Sequence, residues 1–287
     1  SMINYFVFMN INLPPNFIAY AKQSIGEPGG FVPNIFTTIL PKEQVQQKGS
    51  SGSVLDQYAA ANMTFLRRYG SKLTYFMLIL AFILCLEYLL KIFSKKLSTA
   101  HPVIKILVFF SCSLRWNFLI SEVISDFQES TFSAIYGVSI ADNQVDRFAS
   151  VLGILLTTGM IIVIYFLAKK IFISSHLKIF ASNATPETEK TELGRYDALH
   201  KSIKANKFPN LLFFCFLLAR SFGFSLLLVL ASNTPIVQLT YLLICSLGMI
   251  TYLLVYGPIK HKSQFLLTIG YELLLLICIG LAIAIYV

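Results

Sequence analysis

Four ionisable residues, Arg115, Glu122, Arg220 and Glu272, sit inside stretches otherwise built of Leu, Ile, Phe and Val. In a hydrocarbon layer each costs about 2.5–3.5 kcal/mol on insertion scales unless it faces a protein interior and finds a partner. Two arginines and two glutamates balance, so the four are expected to pair among themselves as an intramembrane charge network. Such a network either locks helices together or lines a hydrated path for ions. The lock is the preferred reading, because buried ionic groups can fix the register of packed helices.

Two of the four belong to a longer polar pattern. In the stretch 111–133, SCSLRWNFLISEVISDFQESTFS, the residues Ser111, Arg115, Glu122, Asp126, Glu129 and Ser133 are spaced 4, 7, 4, 3 and 4 apart. At 100° per residue they share one face of a helix. Pro102 and a basic stretch lead into this helix and an acidic stretch leads out of it, which makes it a crossing helix rather than a surface one. Arg115 and Glu122 are then its buried part, and Asp126 and Glu129 an acidic rim on the exoplasmic side.

Patterns for other chemistry are missing. The four histidines (His101, His176, His200, His261) lie far apart with no HExxH spacing, and neither GxSxG nor a Gly-rich phosphate loop occurs. All five cysteines fall inside apolar segments without CxxC spacing, so they are read as buried packing thiols rather than disulfides or metal ligands. Residues 265–287 hold no lysine that could carry retinal. The expectation is a protein that is not an enzyme and uses no cofactor and no metal.

The elements that position the charged groups follow from composition. Of 287 residues 56% are hydrophobic and 13% charged, against about a quarter charged in soluble domains, which marks an integral membrane protein. The net charge of +9 raises the question of nucleic acid. The basic residues, however, cluster in short loops beside apolar runs, as orientation signals do. The fold class is an all-α polytopic bundle of about six transmembrane helices, at 73–93, 103–125, 148–172, 209–231, 236–256 and 265–287. Each has the roughly 20 residues that span a hydrocarbon core. Gly153 and Gly159 are expected as close-packing points in the third helix, which a polar connection at 141–147 precedes.

Basic loops follow the first, third and fifth helices. The longest, 174–207, contains a candidate amphipathic surface helix at 193–206, and its charge could attract anionic lipid, although orientation alone is the preferred reading. The positive-inside rule puts these loops in the cytosol and residues 1–71 on the exoplasmic side. Residues 1–71 are rich in Pro and Gly and read as a compact membrane-proximal segment, with a sequon at Asn62-Met63-Thr64 as a candidate glycosylation site. The return from 257 to 264 is too short for a re-entrant pore loop. Apolar sequence runs to both ends without a signal peptide, which suggests a piece of a longer polypeptide. The expected partners are membrane lipids and proteins of a larger complex, not nucleic acid.

A further set of residues carries a likeness. Leu13-Pro14-Pro15-Asn16-Phe17 and Phe31-Val32-Pro33-Asn34-Ile35-Phe36 stand ahead of the membrane region. Arg115-Trp116-Asn117-Phe118-Leu119-Ile120 with Glu122 mark the second helix, while Thr234-Pro235-Ile236-Val237-Gln238-Leu239 and Tyr256-Gly257-Pro258-Ile259-Lys260 bracket the fifth. Their order resembles the C-terminal membrane region of large cell-surface proteins of ciliated protists, distantly similar to transient-receptor-potential-like membrane proteins. The resemblance implies a membrane-embedded module that anchors a surface assembly in the plasma or ciliary membrane. A channel, or an auxiliary subunit of one, is the alternative; a lipid transporter or scramblase using the stripe of the second helix is another. The short 257–264 return departs from the channel pattern.

Overall fold

The structure, a computed structural model, describes residues 65–96, 101–112, 118–140, 144–180, 202–204 and 207–286. Eight helices occupy most of these: α1 Phe65–Lys96, α2 Pro102–Cys112, α3 Leu119–Ile140, α4 Gln144–Phe180, α5 Phe208–Leu211, α6 Phe213–Leu230, α7 Pro235–Tyr256 and α8 Lys262–Tyr286. The chain is thus an all-α bundle, and five helices are long and apolar enough to cross a membrane among the described residues. They are Tyr69–Phe93 in α1, Gln144–Ile173 in α4, the whole of α6 and α7, and Lys262–Ile285 in α8.

The way these helices bury their side chains identifies the solvent. On α8, Glu272, Leu275, Ile279 and Ala282 face inward on one narrow stripe, whereas Leu266, Leu267, Tyr271, Leu273, Leu274, Ile277 and Leu281 point outward. α1 and α4 likewise expose Leu78, Phe82, Leu84, Leu155, Phe166 and their neighbours. Soluble monomers rarely expose apolar patches beyond a few hundred Å², so this belt is the lipid-facing surface of an integral membrane protein.

α3 sits at the centre, packed most extensively on α4, then on α6, and also on α1. Residues 130–137 are buried without interruption. Being enclosed by protein, α3 can carry Ser130, Thr131 and Ser133, which a lipid-facing helix tolerates less well. Ser130 and Thr131 hydroxyls donate to the Phe127 carbonyl at 2.9 and 2.7 Å, satisfying them within the helix. The α3–α4 approach is close at Gly153, where a Cβ would lie 2.9 Å from that of Ala134 and 3.0 Å from the Phe65 ring. Gly159, the other expected packing point, has nothing within 4 Å of such a Cβ and faces open space.

The segment expected to cross at 103–125 differs most. Its described parts belong to the 11-residue α2 and the 22-residue α3, which continues to Ile140, past the expected end at 125. Among the described residues, five of the expected spans are long and apolar enough to cross, and the described parts of 103–125 are not among them. Residues 144–147, expected in a connection, form the first turn of α4, with Asp146 buried. The helix expected at 209–231 is divided by Leu212 into α5 and α6. Of the expected surface helix at 193–206, only 202–204 are described, and Ile203 forms an antiparallel β-bridge with Ile259.

Chain reversals are closed by specific groups. Pro235 opens α7, where its missing N–H costs nothing. The Gln238 side-chain amide reaches back to donate to the Ala231 carbonyl at 2.8 Å, capping α6 from the neighbouring helix. In a membrane an uncapped helix end costs several kcal/mol per orphan group. Gly257 ends α7 with φ of 51°, and its N–H donates to the Leu253 carbonyl at 2.9 Å. Residues 257–261 then suffice to return the chain into α8. Of the cysteines, Cys215 is buried, whereas Cys85 faces outward rather than into the core.

Candidate intramembrane charge site

Arg220 lies near the middle of α6, Ser246 near the middle of α7 and Glu272 near the middle of α8. The three meet. One Arg220 Nη1 donates to both carboxylate oxygens of Glu272, at 2.7 Å to Oε1 and 2.8 Å to Oε2. Ser246 Oγ donates to Oε2 at 2.7 Å. The Tyr241 hydroxyl, one and a half turns before Ser246 on α7, donates to the Arg220 backbone carbonyl at 3.3 Å. A Cβ at Gly223 would collide with that hydroxyl, so glycine makes room for it. The side chains of Arg220 and Glu272 are 13% and 6% exposed.

This geometry answers an electrostatic requirement. Both charges have lost most of their hydration, a cost of several kcal/mol per ion that only close, well-directed contacts offset. Charge-assisted hydrogen bonds of this length are about twice as strong as neutral ones. Glu272 receives two of them from a cation and one from a hydroxyl. The packing around the pair gives it a mechanical role as well. α8 packs principally on α7 and only slightly on the other described helices. The long Arg220 side chain therefore ties α8 directly to α6, across 52 residues of sequence.

A second cluster joins α1 to α3. Lys72 Nζ donates to Asp126 Oδ1 at 2.8 Å and to Glu129 Oε2 at 2.9 Å. Asp126 and Glu129 are one helical turn apart on the same face, so one ammonium reaches both. All three side chains are between 17% and 20% exposed. Asp126 and Glu129, expected as an acidic rim, are thus paired with Lys72, which lies within the apolar span of α1, and α3 runs on past them to Ile140.

Of the expected network of four, two members are seen to meet among the described residues. Arg220 and Glu272 meet each other; Glu122, half-buried in the first turn of α3, has no hydrogen-bond or ion-pair partner among the described residues. Arg115 and Asn62 lie outside the described residues. Ser111 ends up on α2, separate from the face that carries Asp126 and Glu129. The sequence pattern passes over Lys72, which looks like a flanking charge if the first helix starts at Leu73; α1 in fact begins at Phe65. It passes over Ser246 and Tyr241 as well. A single hydroxyl in an apolar helix carries no signal, whereas a lysine seven residues into a helix can be found by extending that helix backwards. Comparison of the chain with protein-family models, curated proteins and solved structures found no match.

Proposed function

We propose that the chain is a non-catalytic, polytopic anchoring domain that holds a larger cell-surface assembly in the plasma or ciliary membrane, with residues 1–71 on the exoplasmic side. The observation that carries this reading is the saturation of Glu272. Its two carboxylate oxygens accept from Arg220, and Ser246 adds a third bond. A carboxylate engaged in this way holds helices together; it has little left to offer a passing ion. Lys72 bridges Asp126 and Glu129 with one bond to each, tying α1 to α3. The five-residue return between α7 and α8 adds support, because it has no room for a filter of the re-entrant kind. The exposed lysines Lys169 and Lys170 of α4 and those of the α7–α8 return lie toward one end of the bundle, which by the positive-inside rule is the cytosolic one.

Reconstitution of the purified full chain into liposomes tests the reading. An anchor gives no more ion flux and no more lipid scrambling than protein-free liposomes. A cation current that changes in Glu122→Gln or Glu272→Gln would replace the anchor with the channel reading. Scrambling that responds to substitution along α3 would replace it with the lipid-transporter reading.

A further inference from the structure

Three segments far apart in sequence converge at the end of the bundle formed by residues 165–173 of α4, α5 and the α7–α8 return. The Ile203–Ile259 bridge binds two of them: Lys204 N–H donates to the Pro258 carbonyl at 2.7 Å, and Lys260 N–H to the Ser202 carbonyl at 2.8 Å. Both isoleucines are buried, Ile203 almost completely, so the bridge is a packed part of the fold. Lys204 Nζ is 3.7 Å from where a Cβ on Gly257 would stand, which places the ammonium over the C-terminus of α7. The third segment joins through Phe208, whose ring packs on Tyr165 and Phe172 of α4 at centroid distances of 6.1 and 5.4 Å. Tyr252 completes the join by donating to the Pro209 carbonyl at 2.5 Å.

The result is a cluster of exposed cations around an aromatic platform. Lys169 and Lys170 on α4, Lys204, Lys207 beside α5, and Lys262 at the start of α8 are all exposed. None of the segments 165–173, 202–204, 207–212 and 257–262 contains a carboxylate. Tyrosines such as Tyr165 and Tyr252 are residues that settle at the head-group level of a bilayer, and lysines just beyond them reach the phosphate layer.

We propose that this surface binds anionic phospholipid head groups of the leaflet at this end. Orientation in the membrane requires only that lysines lie on one side. It does not require a buried β-bridge that holds Lys204 against the α7 terminus, nor an aromatic join that seats Phe208, next to Lys207, on Tyr165 and Phe172 of α4. The partner is a lipid because the cations stand where the apolar belt ends, within reach of a head group whose acyl chains lie along α4 and α8. This binding is independent of whether the domain anchors or conducts.

The full chain, purified in a neutral detergent, is titrated with short-chain phosphatidylserine and phosphatidylcholine, with bound lipid read by native mass spectrometry. The anionic lipid is expected to bind at least tenfold more tightly, and more weakly as salt is raised. Each lysine near the surface is worth about fivefold, so Lys204→Gln/Lys207→Gln/Lys262→Gln weakens binding on the order of a hundredfold. Arg147→Gln, at the opposite end, leaves it unchanged. Equal binding of the two lipids, or binding indifferent to salt, overturns the proposal in the unsubstituted chain, whatever the folding of the triple variant. Displacement by inorganic phosphate or by polyglutamate at the same concentration would also overturn it, in favour of a free anion or an acidic protein segment.

Discussion

Replacing Arg220 by methionine leaves Glu272 buried with Ser246 as its remaining hydrogen-bond donor among the described residues. Removing one partner of a buried ion pair costs about 3–5 kcal/mol, because the other charge stays desolvated and uncompensated. Here the loss comprises both bonds from Nη1 and the direct tie between α6 and α8. At roughly 2–4 °C per kcal/mol for a domain of this size, the melting temperature falls by about 6–20 °C. Arg220→Met/Glu272→Met removes both charges and keeps apolar volume, so it should recover most of the loss, as replacement of buried ion pairs by hydrophobic residues often does. The assay is thermal unfolding of the purified chain in detergent, followed by far-ultraviolet circular dichroism, for each single variant and the double. An Arg220→Met variant within about 1 kcal/mol of the parent chain, or a double variant no better than the worse single, would show that the pair does not act as a lock. The reasoning would then fail at its electrostatic step. A single variant that melts normally but changes ion flux would point instead to a functional carboxylate.

The other expectations concern separate parts of the bundle. Lys72→Met removes the cation that Asp126 and Glu129 share and should cost about 3 kcal/mol; Lys72→Met/Asp126→Asn/Glu129→Gln should regain most of it in the same unfolding assay. Gly153→Leu forces side-chain atoms into Ala134 and Phe65 and should cost about 1–3 kcal/mol, whereas Gly159→Leu, which meets nothing, should leave the melting temperature within a degree or two. Gln238→Leu removes the donor to the Ala231 carbonyl and should cost about 1–3 kcal/mol. Local hydrogen exchange at the α6 C-terminus should rise with it, and an unchanged rate there would count against the capping role.

Much of the bundle is legible in the amino-acid sequence. Helices α7 and α8 begin and end within a few residues of the expected spans, because Pro235, Gly257 and the lysines around His261 punctuate continuous apolar runs. Arg220 and Glu272 stand out as groups that need partners, since a charge in hydrocarbon is costly whatever surrounds it. α3 is harder to read because its composition lies between that of a lipid-facing helix and that of a loop. Its polar residues are acceptable only because α1, α4 and α6 enclose it. The partner of Asp126 and Glu129 is hidden for the same reason: nothing local indicates that Lys72, more than fifty residues earlier, pairs with them.

The sequence by itself determined the solvent and the class of fold. Long apolar runs cannot remain in water, and helices satisfy every backbone group where water is absent. It also determined which charges must be neutralised. Only the tertiary structure decided how: Arg220 with Glu272 and Ser246, and Lys72 with Asp126 and Glu129. The physical reason is that pairing depends on the rotation and relative depth of neighbouring helices. Those are set by side-chain packing between segments remote in the chain, such as Gly153 against Ala134, and the helical period alone leaves them open.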